Sequence, residues 1–335
     1  TNLLKENNIM SEPIKITWLL YHQPVELFLR TAKSFAKEIT KLTDGRIEVD
    51  IYTLEDYCNE HHGGKLLDPI SLMESGKVHM SQTQVGFIGH WGAEDFYALE
   101  MPFLFDSHEH ASRVLEGEIG ENMLNSLAEN SPVRGLAFTY SGGFRCIASN
   151  KPITQASDLE GLHMSVKTNP VFTDTANAFG CKTTALIESS TFHYLDEIHN
   201  PNGETKASSD LFQTTAIRFT HDVDPNHMPY VLDSKHSMYL TSILVSESFW
   251  KMLTEEEQVL FKKAAFEAAR LEREWSVRDG DEILKTLQIQ SKMGIKGITN
   301  FDSDQIDILK QKAKPVYAKY ENIFTPGLLD SIRAA

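Results

Sequence analysis

The sequence predicts a two-lobed α/β protein. Strand-like segments alternate with helical segments in two successive stretches of the chain. A further strand-like segment, Met238–Val245 (MYLTSILV), comes late and is expected to return to the first sheet. The chain has 335 residues, which is enough for two hydrophobic cores.

The first lobe opens with a βαβ unit. Residues 14–20 (IKITWLL) form a short apolar run that suits a buried strand. Residues 27–42 carry apolar side chains at a helical period, and residues 46–52 (RIEVDIY) alternate as a strand. Such a unit favours parallel strands joined by a right-handed crossover.

The later elements are less regular. We expect residues 54–68 to be irregular and residues 107–130 to form two helices divided near 117–120. Further helices are expected at 67–75, 169–179, 189–198, 210–219 and 246–253, and strands at 79–87, 135–140, 180–186 and 295–298. Thr254 and Glu257 form a capping box that begins a long helix to about residue 290. Residues 303–320 form a last amphipathic helix.

Composition excludes some classes of partner. The formal net charge is −15, whereas nucleic acid and anionic lipid require a basic surface. No apolar run reaches about 18 residues, the length of a membrane span. Residues 1–13 are expected to be a flexible tail left after processing or by the design of the expressed chain. Cys58, Cys146 and Cys181 are interpreted as buried free thiols rather than as a disulfide with one thiol left over.

Enzyme signatures are missing from the sequence. There is no GxSxG, no P-loop and no HExxH, so neither a catalytic residue nor a cofactor is predicted. His61 and His62 suit a solvated loop better than a metal site, and no metal is predicted. Gly142 and Gly143 indicate a turn or a close approach of the backbone to another group.

Arg145 is the most informative charged residue. It lies in the apolar segment FRCIAS, where a strand is expected. A buried arginine must be paired, so it either forms a structural salt bridge or grips an anion through its two-pronged guanidinium. A position at a sheet edge facing water is the third alternative.

Residues 143–166 carry a resemblance to a known family. Gly143-Phe144-Arg145, Asn150-Lys151-Pro152-Ile153 and Asp158-Leu159-Glu160-Gly161-Leu162 resemble the central segment of the substrate-binding proteins of tripartite ATP-independent periplasmic (TRAP) transporters, the DctP-type family. The likeness extends to residues 35–52, 101–103 and 246–265, and to a histidine at position 236. It covers most of residues 14–325.

The resemblance implies a periplasmic-binding-protein-like receptor without enzymatic activity. It implies two lobes with a cleft between them, hinge strands, and a long helix spanning both lobes. We assign residues 14–141 and 236–275 to lobe I, and 142–235 and 276–335 to lobe II. The expected partners are a small polar organic ligand and the subunits of a TRAP membrane permease. The location is expected to be periplasmic or extracytoplasmic, and a monomer is favoured over a dimer.

The chain departs from the family at its main carboxylate anchor. Ser165 stands where relatives carry the arginine of D-L-x-G-L-K-I-R-V, and serine cannot make a two-pronged charged contact. Glu188 falls within about two residues of an apolar or aromatic ligand contact of the family, and Glu204 and Thr205 fall in an altered V-D-G-x-E-N segment. We therefore expect a neutral polyol, an amino alcohol or a zwitterion rather than a typical dicarboxylate. In a zwitterion, Arg145 would hold the anionic end and Glu188 the cationic end, unless Glu188 faces solvent or pairs with a lysine.

Strand ends supply the remaining candidate ligand contacts. The full predicted binding set is Tyr21, His22, Gln84, Arg145, Ser165, Asn169, Glu188, Glu204, Thr205 and Tyr239. The aromatic members could equally be core side chains. The alternative function is a ligand-sensing module of the same fold that signals through a partner protein. An enzyme is disfavoured because no nucleophile or acid–base pair is evident.

Overall fold

The computed structural model describes residues 12–185 and 209–335, and it confirms the two-lobed α/β architecture. The strands are β1 (Ile14–Leu20), β2 (Ile47–Thr53), β3 (Met80–Gln84), β4 (Val133–Phe144), β5 (Cys146–Ser149), β6 (His163–Val166), β7 (Lys182–Ala185), β8 (Leu211–Thr214), β9 (Tyr230–Leu232), β10 (Met238–Ser246) and β11 (Gly297–Thr299).

Helices flank both sheets. They are α1 (Val25–Leu42), α2 (Leu54–His62), α3 (Pro69–Glu74), α4 (Val85–His90), α5 (His108–Leu115), α6 (Glu118–Asn130), α7 (Pro170–Ala178), α8 (Phe219–Asp222), α9 (Glu247–Trp250), α10 (Glu255–Lys285), α11 (Leu287–Lys292), α12 (Ser303–Tyr320) and α13 (Leu328–Ala334). Segments of 3-10 helix lie at Glu94–Glu100, Ala156–Leu159 and Ala216–Arg218. None of the described helices is long and apolar enough to cross a membrane.

The first sheet has the strand order β2-β1-β3-β10-β4. Strand β1 pairs in parallel with β2 and β3, as the βαβ pattern predicted. The amphipathic helix α1 buries Phe28, Phe35 and Ile39 against this sheet, and the Phe35 ring centre lies 5.3 Å from that of Trp18. Each such side chain contributes roughly 1.5–3 kcal/mol by its burial.

Strand β10 returns to the first sheet, which confirms the prediction for the late strand. It runs antiparallel between β3 and β4. The second sheet has the order β11-β9-β5-β8-β6-β7 and contains both parallel and antiparallel pairs.

Two segments cross between the lobes side by side. Strand β4 runs into β5 through Arg145, and β9 returns to β10 through residues 233–237. The Arg145 amide donates to the Ser237 carbonyl at 2.8 Å. Gly142 and Gly143 have φ angles of 102° and 76°, and a Cβ on Gly142 would lie 2.0 Å from the Thr215 hydroxyl oxygen. The close approach that the glycine pair indicated is therefore present, whereas both glycines lie within β4 rather than in a turn.

The long helix α10 begins at the predicted capping box. Thr254 Oγ1 accepts from the Glu257 amide, and the Glu257 carboxylate accepts from the Thr254 amide. Its first half packs Phe261 and neighbouring alanines on the first sheet. Ile283, near its end, packs against the second-lobe core, so the helix spans both lobes.

The C-terminal helices connect the two cores. Leu309 and Ala313 of α12 belong to a second-lobe cluster, whereas Tyr320 of α12 and Ile332 of α13 belong to a first-lobe cluster. His110 Nε2 lies 2.7 Å from the Ile332 carbonyl oxygen. The chain thus returns to the first lobe near its end, and the exact division of residues between lobes stays a prediction.

Residues 54–62 correct the expectation of an irregular segment. They form α2, which Thr53 caps by accepting from the Asp56 amide at 3.1 Å, and which Gly63 ends with a φ of 60°. Only Leu54, Tyr57 and Cys58 are buried, so the polar composition reflects a mostly exposed helix. His61 and His62 lie on this helix rather than on a loop.

Residues 211–214 correct the helix expected at 210–219. They form β8, which pairs antiparallel with β5 and parallel with β6. Pairing on both sides outweighs the weak helical pattern. All three cysteines are buried and free, as expected.

A buried carboxyl group on α10 makes stability depend on pH. Glu272 is 4% exposed, and burial raises its pKa well above the usual range, although Gln82 and Arg30 oppose this effect. An acid with a raised pKa stabilises the fold fully below the carboxyl's ordinary pKa, and the contribution is lost as pH rises through the folded-state pKa. Glu272→Gln should therefore make the free energy of unfolding fall less between pH 5 and pH 9.

Urea unfolding at both pH values measures this difference, with the exposed Glu282→Gln on the same helix as the control. Parallel pH curves for wild type and Glu272→Gln would contradict the assignment.

Candidate functional site

A small cavity lies where residues of the two sheets and the crossing segments meet. Its volume is about 20 Å³, which is room for one or two water molecules. The lining residues are Gln84, Arg145, Ser165, Lys167, Phe172, Phe212, Gln213, Asp222 and Tyr239. Four predicted binding residues are thus brought together: Gln84, Arg145, Ser165 and Tyr239.

Arg145 forms a buried ion pair at the crossing. It is 2% exposed, and its Nη1 donates to Glu100 Oε2 at 2.6 Å and to the Met238 carbonyl at 2.5 Å. The Ser237 hydroxyl accepts from the same nitrogen at 3.2 Å. Burial raises the pKa of Glu100, and the Arg145 charge opposes this rise. Of the alternatives that the sequence left open for Arg145, the structure thus shows the structural salt bridge.

The other terminal nitrogen of Arg145 remains available. Nη2 is buried, and no described residue accepts a hydrogen bond from it. The guanidinium carbon lies 4.7 Å from the ring centre of Phe172 and 4.9 Å from that of Tyr239. These rings fix the guanidinium plane beside the cavity. The same side chain can therefore be structural through Nη1 and bind an anion through Nη2.

The end of β6 places Ser165 and Lys167 at the cavity. Strand β6 lies between β7 and β8, with Ser165 opposite Thr184 and Phe212. Ser165 is fully buried, and Lys167 follows just after the strand. A hydroxyl and an ammonium group thus stand at the cavity at the end of this strand.

Asn169 brings the second lobe against the first. Its Oδ1 accepts from the Val171 amide at 2.9 Å and caps α7. Its Nδ2 is buried without a hydrogen-bond acceptor among the described residues. A Cβ on Gly86 of the first lobe would lie 3.1 Å from this nitrogen. Asn169 therefore borders the cleft without lining the cavity.

Gln84 and Tyr239 meet across the first sheet. The Tyr239 hydroxyl donates to Gln84 Oε1 at 3.3 Å. Their strands, β3 and β10, pair antiparallel, which brings the two side chains to the same edge of the cavity.

Tyr21 and His22 do not line the cavity. His22 Nε2 lies 2.6 Å from Thr83 Oγ1, and its ring stacks on Phe87 at 5.1 Å. Burial, and then the charges of Lys167 and Arg218, lower the pKa of His22 well below its usual value. The ring is therefore neutral and close to the cationic site. Tyr21 packs into the first-lobe core beside it.

Sequence reasoning missed three charged residues of the site. Lys167 and Asp222 line the cavity, and Arg218 forms a buried ion pair with Asp222 at 3.2 Å. A signal existed, because Arg218 lies between Ile217 and Phe219 and precedes Asp222 by one helical turn. Glu188, Glu204 and Thr205 lie outside the described residues and remain predictions.

The site carries net positive charge among the described residues. Arg145, Lys167 and Arg218 stand against Glu100 and Asp222. In the part of the chain that the structure describes, no cluster of three or more metal-ligating side chains occurs. The nitrogen donors of these side chains therefore favour an anion over a cation at this site.

Removal of Arg145 would leave Glu100 buried without its partner. Arg145→Met should lower the free energy of unfolding by about 3–5 kcal/mol, and Glu100→Gln combined with Arg145→Met should lower it by less. Urea unfolding of both single variants and the double variant measures the coupling. Additive effects of the two substitutions would contradict a direct interaction.

His236 should make the fold sensitive to acid. It is hydrogen-bonded to Ser234 at 2.6 Å and Gln213 at 3.0 Å, and burial together with the Arg145 charge lowers its pKa from 6.5 to about 3. A histidine with a lowered pKa must stay neutral in the fold, so stability is lost as pH falls from about 6.5 towards 3. His236→Gln should reduce this loss.

Thermal unfolding between pH 4 and pH 7 tests this expectation. His61→Gln is the control, because that side chain is 41% exposed. An unchanged acid dependence in His236→Gln would assign the loss to other groups.

Comparison with known proteins identifies the family. The family model "Bacterial extracellular solute-binding protein, family 7" (DctP) matches residues 22–197 and 226–323. A solute-binding protein of Roseobacter denitrificans is 31% identical over 72% of this chain and 69% of its own length. The C4-dicarboxylate-binding periplasmic protein DctP of Rhodobacter capsulatus is 24% identical over 77% of this chain and 73% of its own.

Solved structures show the same fold. A TRAP periplasmic solute-binding protein of Shewanella oneidensis with bound succinate has a TM-score of 0.77 at 19% identity, with 96% of this chain and 99% of that chain covered. The sugar acid binding protein of Advenella mimigardefordensis in complex with galactonate has a TM-score of 0.77 at 20% identity, with 96% and 97% covered. The chain therefore belongs to family 7 of the bacterial extracellular solute-binding proteins, the DctP family of substrate-binding proteins of TRAP transporters.

Proposed function

We propose that this receptor binds a small hydroxylated organic acid with a single carboxylate and delivers it to a TRAP membrane permease. It acts outside the cytoplasm, as a monomer. The observation that carries the ligand class is the buried Nη2 of the cavity-lining Arg145, which donates to no described residue. An unused charged donor is costly to bury, so an anionic ligand oxygen would relieve it.

Ser165 argues against a second carboxylate. A second carboxylate would be favoured by a second charged partner, whereas serine offers one neutral hydroxyl. Ser165 suits a ligand hydroxyl, and Lys167 nearby adds a point charge for the carboxylate. This modifies the neutral or zwitterionic ligand expected from the sequence, because Lys167 and Arg218 add positive charge at or beside the cavity. The contribution of Glu188 remains a prediction.

Relatives of known structure support an acid as the ligand. Their bound molecules include galactonate, D-erythronate, D-glucuronate and succinate. The first three are hydroxylated monocarboxylates, and the last is a dicarboxylate. The Ser165 hydroxyl favours the former class for this chain.

A thermal-shift panel should separate the ligand classes. Galactonate, erythronate and glucuronate represent the proposed class, and succinate, galactitol and glycine betaine represent dicarboxylates, neutral polyols and zwitterions. A bound ligand at 100 times its dissociation constant should add about 2.7 kcal/mol of stability. A larger shift with succinate, galactitol or betaine than with any sugar acid would overturn the proposed class.

Lys167→Met should weaken binding of the responding acid. Loss of a charge-assisted contact of about 1.5–3 kcal/mol corresponds to roughly a tenfold or greater increase in dissociation constant. Lys151→Met is the matched control, because Lys151 is exposed and does not line the cavity. Titration calorimetry measures both variants, and equal affinity would remove Lys167 from the site.

A further inference from the structure

Arg218 connects the second lobe to the first. It ends the 3-10 helix Ala216–Arg218, which follows β8 of the second sheet, and it is 1% exposed. Its Nη1 donates to the Gln23 carbonyl at 2.8 Å and to the Ser141 hydroxyl at 3.1 Å. Gln23 follows β1, and Ser141 lies in β4, so both acceptors belong to strands or loops of the first sheet.

The second lobe holds the guanidinium in the orientation that these contacts need. Asp222 accepts from Arg218 Nε and Nη2, each at 3.2 Å. The Thr214 hydroxyl donates to Asp222 Oδ2 at 2.6 Å and fixes the carboxylate in turn. Nε and Nη2 are thus used within the second lobe, which leaves Nη1 to reach across to the first.

Tyr239 adds a third contact between the lobes. Its ring centre lies 4.5 Å from the Arg218 guanidinium carbon, and Arg145 approaches the same ring at 4.9 Å. Tyr239 belongs to β10 of the first sheet, and its ring is buried. A desolvated guanidinium over such a ring is attracted to it.

We infer that Arg218 is an interlobe clamp: its contacts with Gln23, Ser141 and Tyr239 hold a measurable fraction of the ligand-free receptor closed and slow ligand release. Contacts made across the lobes bias the equilibrium only if the open state loses them. Asp222 remains with Arg218 in both states, because it lies one helical turn away. The bias therefore comes from the Nη1 hydrogen bonds and the Tyr239 contact. The clamp deepens the proposed function, since it regulates the same site, but its effect on lobe closure needs no ligand.

The test compares two matched pairs of substitutions. Arg218→Met with Asp222→Asn removes the clamp without leaving a buried carboxylate unpaired. Arg134→Met with Glu247→Gln removes an ion pair at 2.8 Å that lies wholly in the first lobe. Circular dichroism confirms that each protein is folded. Arg218→Lys, which keeps a charge beside Asp222 but lacks the planar fork, gives a second clamp variant.

Lobe closure is measured as a distance distribution between two spin labels. Glu60→Cys on α2 and Lys151→Cys in the second lobe are exposed, whereas the native cysteines are buried and resist labelling. Pulsed electron paramagnetic resonance on ligand-free protein should show the label separation of this structure as one population. The ratio of closed to open populations should fall about tenfold or more in both clamp variants, in line with the loss of a charged hydrogen bond, and should stay unchanged in Arg134→Met/Glu247→Gln.

Galactonate then separates the clamp from the ligand assignment. If it binds wild type, its dissociation should be faster in the clamp variants than in the Arg134→Met/Glu247→Gln control. If it does not bind, the proposed ligand class loses support while the ligand-free populations still decide the clamp. Equal closed populations in wild type and clamp variants, or no closed population in wild type, would overturn the inference.

Discussion

The buried ion pair between Glu100 and Arg145 is the interaction on which the site and the crossing both depend. Nη1 of Arg145 holds Glu100 of the first lobe, the Met238 carbonyl and the Ser237 hydroxyl within 3.2 Å. The Arg145 side chain therefore joins the β4–β5 crossing to the β9–β10 crossing and to the end of the 3-10 helix Glu94–Glu100. Since a buried arginine needs several acceptors, this geometry leaves little freedom to either segment. The same contacts fix the guanidinium, whose Nη2 has no acceptor among the described residues.

Local patterns predicted much of the fold because their causes lie within a few residues. The βαβ unit follows from hydrophobic period, and the start of α10 follows from the Thr254 capping box. Gly142 and Gly143 adopt positive φ angles, which glycine tolerates best. The apolar run of Met238–Val245 predicted the late strand. Arg145 could be identified because a charge within an apolar segment requires a partner when it is buried.

The remaining features are set by contacts between distant parts of the chain. Residues 211–214 form a strand because β5 and β6 flank them, and no local signal encodes that pairing. The sequence did not predict helix α2, because only three of its side chains are buried and the polar residues of its exposed face hide their helical spacing. Lys167 and Arg218 were missed because each follows a strand whose direction toward the cavity is decided only when the second sheet assembles.

Ser165 and Arg218 occupy neighbouring parts of the second sheet but make different contacts. Ser165 lies opposite Phe212 in the β6–β8 pair, and the chain that leaves β8 delivers Arg218 near the same cavity. Strand β6 thus carries a serine at position 165, whereas Arg218 follows the neighbouring strand β8. Arg218 is held by Asp222, Gln23 and Ser141, which accept hydrogen bonds from its donors. Because these acceptors occupy its donors, Arg218 offers no second guanidinium fork to a ligand. This arrangement supports the proposed preference for one carboxylate with hydroxyl groups over two carboxylates.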